Sequence, residues 1–212
     1  MPWGSGDGFE HLITSLVEDW AAWESEYINQ RQREGNPLRW YENYKLSDGA
    51  FATLLAIRIE PPDESSSSAT RQRLPLDVGQ WRAVAVGDSC VVHVRDSSIV
   101  TCFPLESPSD FHSSPALIGT QGNSSHPNRN QAMFISRTYK PLDEFFLMTD
   151  ALAAWFIDVS KRATSKEFKQ VMDKLKESLG EPSTGSFRTW ITEQRSNGAM
   201  RNDDVAIVHI QL

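Results

Sequence analysis

The first part of the chain repeats apolar and polar positions with a helical period. Between Phe9 and Trp40 the apolar positions are separated by four and three residues, which is the spacing of one face of an amphipathic helix. These positions are Leu12, Leu16, Trp20, Trp23 and Tyr27. Asn36-Pro37 interrupts the pattern. We therefore predict a helical region over residues 1–40, with its tryptophans packed against a sheet, and a second helix from Trp40 to about Leu46.

Short runs rich in β-branched residues follow, and each is bounded by turn-forming residues. Such runs predict strands rather than helices. They are Ala52–Ile59, Trp81–Val86, Ser89–Arg95, Ile99–Leu105, Phe145–Asp150 and Val205–Leu212. Gly87-Asp88 separates two of them, which predicts a hairpin turn. The last run has the composition of a strand that is buried on both faces.

Helical patterns return in the C-terminal third. The segments Ala151–Ile157, Lys166–Leu179 and Phe187–Arg195 predict helices, the middle one with Phe168 and Leu175 on its apolar side. Serine, proline, asparagine and glycine dominate residues 61–80 and 119–131, which predicts two exposed loops. Consecutive strands with helices before and after them favour an α+β fold in a single domain spanning residues 1–212.

Composition narrows the function. The chain has 212 residues, 39% hydrophobic, and a formal net charge of −7, which disfavours nucleic-acid and anionic-membrane partners. Its apolar runs are shorter than the ~20 residues of a membrane span, and the N-terminus lacks the pattern of a signal peptide. Cys90 and Cys102 form neither a CxxC motif nor a disulfide framework. We therefore expect reduced thiols in a cytoplasmic protein.

Acidic residues occupy strand ends at three places. Asp88 lies in the predicted turn, Asp150 ends a predicted buried strand, and Asp203-Asp204 precedes the last strand. If these strands are neighbours, the carboxylates converge, and converging carboxylates are ordinarily compensated by a cation such as Mg²⁺ or Mn²⁺. No Cys/His cluster indicates zinc. The same positions also suit an N-cap, a turn residue and a solvated loop pair, so spacing alone leaves both interpretations open.

Five motifs together resemble the PPM-type (type 2C) metal-dependent protein serine/threonine phosphatases, in particular a bacterial branch. The resemblance covers about Tyr41 to Leu212. The motifs are Gly49-Ala-Phe-Ala-Thr-Leu-Leu, Trp81-Arg-Ala-Val-Ala-Val-Gly-Asp-Ser, Phe103-Pro-Leu, Phe145-Phe-Leu-Met-Thr-Asp-Ala-Leu-Ala and Asn202-Asp-Asp-Val-Ala-Ile-Val.

The resemblance implies a fold, a site and an activity. The fold is a four-layer α-β-β-α sandwich of antiparallel sheets flanked by helices. Asp150 and Asp203 would be ligands of a binuclear Mg²⁺ or Mn²⁺ centre, and Asp88 would match a third metal position. Asp204, Gly87 and Thr149 would support the site. The activity would be hydrolysis of a phosphomonoester on a phosphorylated protein by a metal-activated water, with no nucleophile from the protein.

One departure from the family pattern is at the N-terminus. The family carries an early strand with an Asp-Gly motif whose aspartate bridges the metals, and a still earlier arginine that binds phosphate. Asp7-Gly8 follows no apolar strand, so the sequence predicts an N-terminally incomplete domain. The alternative to an enzyme is therefore a catalytically inactive binding or regulatory module with the phosphatase fold.

Overall fold

The computed structural model describes residues 6–62, 77–112, 114–120, 131–180 and 185–212. Within these ranges the helices are α1 (Gly6–Arg33), α2 (Trp40–Asp48), α3 (Asp150–Arg162), α4 (Ser165–Gly180) and α5 (Gly185–Ser196). The strands are β1 (Phe51–Ala52), β2 (Leu54–Glu60), β3 (Gly79–Val86), β4 (Cys90–Arg95), β5 (Ser98–Phe103), β6 (Ile118–Gly119), β7 (Met133–Tyr139), β8 (Glu144–Met148) and β9 (Ile207–Gln211).

The strands form three sheets in the described residues. One pairs β1 with β6, one has the order β2-β3-β7, and the largest has the order β5-β4-β8-β9. Every neighbouring pair of the largest sheet is antiparallel. The predicted α+β class with antiparallel sheets and accompanying helices is confirmed.

The chain divides into two compact units. The first comprises residues 1–59, 81–87 and 116–137, and the second comprises residues 60–80, 88–115 and 138–212. The single domain over residues 1–212 stays a prediction. Most of each predicted loop, 63–76 and 121–130, lies outside the described residues. The first predicted loop ends two residues earlier than expected, since β3 begins at Gly79. An added Cβ at Gly79 would lie 2.3 Å from the Tyr139 ring, so the strand leaves no room for a side chain there.

Helix α1 buries a different side from the one that its spacing predicted. Phe9 and Ile13 are buried in the core of the first unit with Val84 and Val86. The prediction that Trp23 packs against a sheet is wrong, since this residue is 51% exposed. Its ring contacts neighbours on the same helix instead, with ring centroids 4.9 Å from Trp20 and 5.4 Å from Tyr27. Periodicity identifies a helical face, and only tertiary packing decides whether that face is covered.

The predicted hairpin at Gly87-Asp88 is wrong. Strand β3 pairs with β2 and β7, whereas β4 pairs with β5 and β8, so the chain changes sheet between β3 and β4. The hairpin is one connection later, between β4 and β5. Its central residues Asp96 and Ser97 have φ values of 49° and 58°. Positive φ at both positions is the conformation that matches the twist of a two-residue hairpin.

Two strands differ from expectation. Strand β7 was not predicted, because it follows a polar segment and its three apolar residues, Met133-Phe-Ile, give way to the polar run Ser136-Arg-Thr. Strand β9 is found where predicted, but burial on both faces is wrong. It pairs with β8 alone among the described strands, and Val208 is 55% exposed, so the face that carries this side chain is not buried. An edge strand keeps one side in contact with solvent.

Helix α3 forms the centre of the second unit. Thr149 occupies its N-cap position, and Lys161 and Arg162 lie in the last turn, where positive charge stabilises the helix. Six residues of this helix are buried, namely Ala151, Leu152, Ala153, Trp155, Phe156 and Ile157. Phe168, Met172 and Leu175 of α4 pack into the same core, as predicted. A buried core of this size fixes the start of α3 relative to the largest sheet.

Candidate functional site

The start of β4, the end of β8 and the start of β9 lie side by side in the largest sheet. Cys90 at the start of β4 is paired with Met148 at the end of β8, and Met148 is paired with Ile207 at the start of β9. Since the sheet is antiparallel, residues before β4, after β8 and before β9 all leave the sheet on the same side. Three segments that are far apart in the sequence therefore lie at the same end of this sheet in the second unit.

The predicted aspartates lie on these segments. Asp88 is two positions before Cys90, Asp150 is two positions after Met148, and Asp203 is four positions before Ile207. Asp88 lies in the connection between sheets, not in the hairpin turn that the sequence predicted. Asp150 is the first residue of α3, and the N-cap is Thr149, so the interpretation of Asp150 as the N-cap is wrong.

The pKa of Asp88 is affected by the charges of the other two aspartates, which indicates that the three carboxylates lie near one another. Partial burial raises the pKa of Asp88 above its ordinary value, and the negative charges of Asp150 and Asp203 add to that rise. A hydrogen bond from the backbone and the positive charge of Arg201 act in the opposite direction. At this end of the sheet the negative charges of Asp150 and Asp203 thus make ionisation of Asp88 less favourable.

Arg201 is the cation near these aspartates. Its Nη2 donates a hydrogen bond to Oδ2 of Asp150 at 2.7 Å. The Arg201 side chain is 49% exposed, and that of Asp150 is 21% exposed. Arg201 was missed at the sequence level. The sequence places it two positions before Asp203, which does not identify Asp150 as its partner.

Thr149 ties the segment before β9 to the start of α3. Its Oγ1 donates to the carbonyl oxygen of Asp204 at 3.1 Å and accepts from the backbone N–H of Ala206 at 3.0 Å. Its own N–H donates to the carbonyl oxygen of Ala206 at 3.2 Å. These bonds hold the acidic segment beside Asp150.

Two further hydrogen bonds hold the segment around Asp203. The backbone N–H of Asp204 donates to Oδ1 of Asp203 at 2.8 Å, and the guanidinium of Arg195 donates to the Asp203 carbonyl oxygen. Asp204 is exposed and, in this structure, supplies backbone groups. Its predicted supporting role stays a prediction.

Gly87 occupies a backbone conformation that other residues rarely adopt. Its φ is +105°, and an added Cβ would lie 2.5 Å from Cγ2 of Thr53 in the same unit. Both facts require glycine at this position. The residue immediately before Asp88 is therefore constrained by sterics.

The donor set fits a hard divalent cation in its chemistry. Carboxylate oxygens are the ligands that Mg²⁺ and Mn²⁺ prefer, and three carboxylates on one side of a sheet give the charge that such an ion compensates. In the part of the chain that the structure describes, no three His, Cys, Asp or Glu side chains stand close enough to enclose an ion. Asp150 is instead held by Arg201. The chemistry of the donors therefore suits a cation, whereas their described geometry does not enclose one.

A buried polar cluster at the other end of β4 and β8 was also missed. His93 and Asp143 are fully buried, and Nε2 of His93 lies 2.7 Å from Oδ2 of Asp143. Arg95 donates to both carboxylate oxygens, from Nε at 2.7 Å and from Nη2 at 2.6 Å. Since an ionised carboxylate only accepts, His93 donates from Nε2. The backbone N–H of Lys140 is a fourth donor, at 2.8 Å.

The pKa values of this cluster follow from burial and pairing. Burial alone would raise the pKa of Asp143, but the hydrogen bonds from Arg95, Lys140 and His93 outweigh it and hold the pKa below its ordinary value. Burial lowers the pKa of His93, and the bond to Asp143 offsets only part of that effect. At neutral pH the cluster is therefore an ionised Asp143 and Arg95 with a neutral His93.

A cavity of about 310 Å³ lies at the far end of α3 from the aspartates. Its walls include Ile157, Lys161, Cys102 and Phe168. Burial raises the pKa of the Cys102 thiol to about 12, so this side chain is a poor nucleophile. The cavity brings none of the predicted site residues together.

No protein-family model matches the chain, and no curated protein matches it. Two solved structures show partial similarity. The X-ray structure of the photosystem II phosphatase PBCP has 13% sequence identity and a TM-score of 0.36, with 63% of this chain and 59% of that chain covered. The structure of PppA, a key regulatory component of T6SS in Pseudomonas aeruginosa, has 18% identity and a TM-score of 0.27, with 63% and 52% covered. The chain thus matches little more than half the length of either structure.

None of the helices in the described ranges combines the length and the apolar character needed to cross a lipid bilayer. Cys90 and Cys102 are both free thiols, as the sequence predicted.

Proposed function

We propose that this chain is a metal-dependent phosphatase-like domain of the PPM type that hydrolyses phosphoserine and phosphothreonine monoesters in proteins. The observation that carries the proposal is the convergence of Asp88, Asp150 and Asp203 at one end of a single sheet. These residues come from positions more than 50 apart in the sequence. The sequence motifs around all three support the same assignment.

The chain's own residues have separable roles in this proposal. Asp150 and Asp203 would hold Mg²⁺ or Mn²⁺, and Asp88 would hold a further ion or tighten the same one. When bound, such a cation supplies an acidified water and positive charge opposite the phosphoryl oxygens. Thr149 keeps the Asp203 segment beside Asp150 through its two side-chain hydrogen bonds. The three carboxylates without a cation would repel a phosphate dianion, so the reaction is expected to depend strictly on the metal.

A second candidate is a binding module that keeps the fold without catalysis. The observation that favours it is the ion pair between Asp150 and Arg201, which supplies part of the charge compensation that a metal would otherwise give. Such a module would bind phosphorylated proteins or regulatory partners without turning them over.

Hydrolysis of an aryl phosphate in the presence of Mn²⁺ distinguishes the two candidates. We expect activity that rises with Mn²⁺ concentration and disappears in Asp150→Asn. The matched control is Asp173→Asn, which removes one carboxylate from an ion pair with Lys176 on α4 and should leave the rate unchanged. A folded protein that is inert at every Mn²⁺ concentration and binds no Mn²⁺ by calorimetry would remove the enzyme and favour the module.

Peptide substrates test the proposed substrate class. We expect the active protein to release phosphate from phosphoserine and phosphothreonine peptides faster than from a phosphotyrosine peptide of the same sequence. Equal rates on all three would reduce the proposal to a general phosphomonoesterase. The free thiols support a reducing, cytoplasmic setting as part of the same proposal.

A further inference from the structure

The largest sheet has two edge strands that differ in regularity. Strand β5 forms one edge, and its pairing with β4 shifts register between His93 and Val94. A bulge of this kind twists an edge strand and hinders the addition of a further strand. Strand β9 forms the other edge, and its pairing with β8 keeps a single register along its whole length. β9 is therefore the edge that is regular enough to accept another strand.

The residues of β9 do not protect this edge. Its sequence is Ile207-Val-His-Ile-Gln, with no lysine, arginine, acidic residue or proline. Those residues commonly prevent an edge strand from pairing with another chain. Val208 is also 55% exposed, and β-branched side chains of this kind pack well across a strand pair. Both the composition and the exposure favour a partner strand.

The outward backbone groups follow from the hydrogen bonds on the β8 side. The carbonyl oxygen of Ala206 accepts from that side at 3.2 Å, and the N–H of Leu212 donates to it at 3.1 Å. Backbone directions alternate along a strand, so the groups of Ile207, His209 and Gln211 point away from β8. The open edge thus presents three evenly spaced donor and acceptor sets.

The centre of the edge is already held in place. Nε2 of His209 lies 2.7 Å from Oε2 of Glu144 on β8, and the His209 ring stacks on Phe146 with centroids 4.7 Å apart. Lys176 of α4 donates to both oxygens of the same carboxylate at 3.1 Å. A rigid edge loses little conformational freedom when a strand is added, which favours association.

We infer that β9 pairs with β9 of a second copy of this chain, antiparallel about a two-fold axis at His209, so that the two four-stranded sheets become continuous. In this register the outward groups of Ile207 bond to those of Gln211 of the second copy, and His209 faces itself. Val208 and Ile210 of the two copies then form the close, non-hydrogen-bonded pairs. The strand is thus complementary to itself in hydrogen bonds and in side chains.

Charge favours the same arrangement. The two-fold axis places the start of one β9 beside the end of the other. The exposed Asp203 and Asp204 precede the start of the strand. The exposed Lys140 lies at the end, in a turn whose Leu142 N–H donates to the carbonyl oxygen of Leu212 at 2.7 Å. Acidic and basic groups of the two copies therefore approach each other at both ends of the strand pair.

Sedimentation velocity of the full chain tests the inference. Two paired strands of this length bury less than a standard interface, so we expect a weak dimer with a Kd on the order of 10–100 μM. The sedimentation coefficient of the wild type should rise with protein concentration across this range. Val208→Lys should weaken the dimer at least about tenfold, because the two-fold axis places the new charge in the interface twice.

Val100→Lys is the matched control. It adds the same charge at a valine that is 47% exposed on β5, the other edge strand of the same sheet, and should dimerise like the wild type. Circular dichroism of each variant verifies that the fold is retained. A wild type that stays monomeric throughout overturns the inference, as does Val208→Lys that dimerises normally. Equal losses in both lysine variants would attribute association to net charge and also overturn it.

Cysteine crosslinking tests the register. Oxidation of Val208→Cys/Ile210→Cys by copper phenanthroline should give a disulfide-linked dimer, since the paired Cα atoms would lie about 4.5 Å apart. Val208→Cys alone should not crosslink, because its two copies would be diagonal neighbours more than about 7 Å apart. The wild type, treated in parallel, controls for the native thiols. Crosslinking of the single variant would overturn the axis at His209. These readouts involve no phosphate hydrolysis, so the phosphatase proposal is tested separately.

Discussion

Replacing Asp143 by asparagine should destabilise the second unit more than any exposed carboxylate replacement. The wild-type carboxylate is fully buried and accepts from His93 Nε2, from Arg95 Nε and Nη2, and from the Lys140 backbone N–H. Asparagine has the same shape but carries no charge and presents an NH₂ group on one side. Whichever way the amide is turned, that NH₂ faces a donor.

The expected magnitude follows from which bonds remain. With the amide oxygen in the Oδ2 position, three of the four donors keep an acceptor, and Arg95 Nε faces the NH₂ group. With the opposite orientation, the three donors that faced Oδ2 lose their acceptor. In the better case one charge-assisted bond is lost and the guanidinium loses its counter-ion in a part-buried setting. Removing one partner of a buried pair costs about 3–5 kcal/mol, a large fraction of the 5–15 kcal/mol typical of a folded protein.

Urea unfolding followed by circular dichroism and tryptophan fluorescence measures this loss. A shift of the midpoint by about 1–2.5 M is expected for an m value of about 2–3 kcal/mol/M. Asp173→Asn on the surface of α4 is the control and should shift the midpoint by less than about 0.3 M, since exposed ion pairs contribute little. Coincident transitions with the two probes are required before a single free energy of unfolding is assigned.

The pH dependence gives a second, independent check. Pairing lowers the pKa of Asp143, so its contribution is present above the unfolded pKa near 4 and is lost as the pH falls through the lower folded value. The stability difference between wild type and Asp143→Asn should therefore be constant near neutrality and narrow below about pH 4. A difference under about 1 kcal/mol at pH 7 would refute the account of this cluster as a satisfied buried ion pair.

The remaining predictions concern four other positions. Burial lowers the pKa of His93, so acidification below the unfolded pKa near 6.5 should destabilise the wild type by up to about 1.4 kcal/mol per pH unit more than His93→Gln. Gly87→Ala should lower the thermal midpoint by several degrees, because φ is +105° and the new methyl group would lie 2.5 Å from Thr53. Thr149→Val loses both side-chain hydrogen bonds to the segment before β9 and should cost about 1–2 kcal/mol in urea unfolding. Burial raises the pKa of the Cys90 thiol to about 12, so a disulfide reagent should modify it only after unfolding, and rapid modification of the native protein would contradict its burial.

The elements of the second unit were predictable because their signals are local. The α4 pattern of Phe168, Met172 and Leu175 repeats at helical spacing, and all three residues are buried. The apolar run that ends at Met148 forms β8, and Thr149 begins the turn into α3 as its N-cap. Each of these features depends on neighbours within a few residues, which a single sequence records.

Strand pairing was not predictable in the same way. Gly87-Asp88 carries a turn signal, and the chain does bend there, but the two flanking strands belong to different sheets. Asp96-Ser97 forms the hairpin without glycine, at the cost of two positive φ values. Turn-forming residues indicate that a chain bends, whereas burial across the whole unit decides which strands pair.

The candidate site shows both sides of this distinction. Three aspartates at strand ends were found from the sequence, because their convergence required only that the strands be neighbours, and the register through Met148 makes them so. Arg201 was missed, since nothing local pairs it with Asp150, 51 positions earlier. In the folded chain this arginine pairs with Asp150 across that distance. Because its positive charge offsets part of the repulsion among the carboxylates, a residue that the local pattern does not single out contributes to the electrostatics of the site.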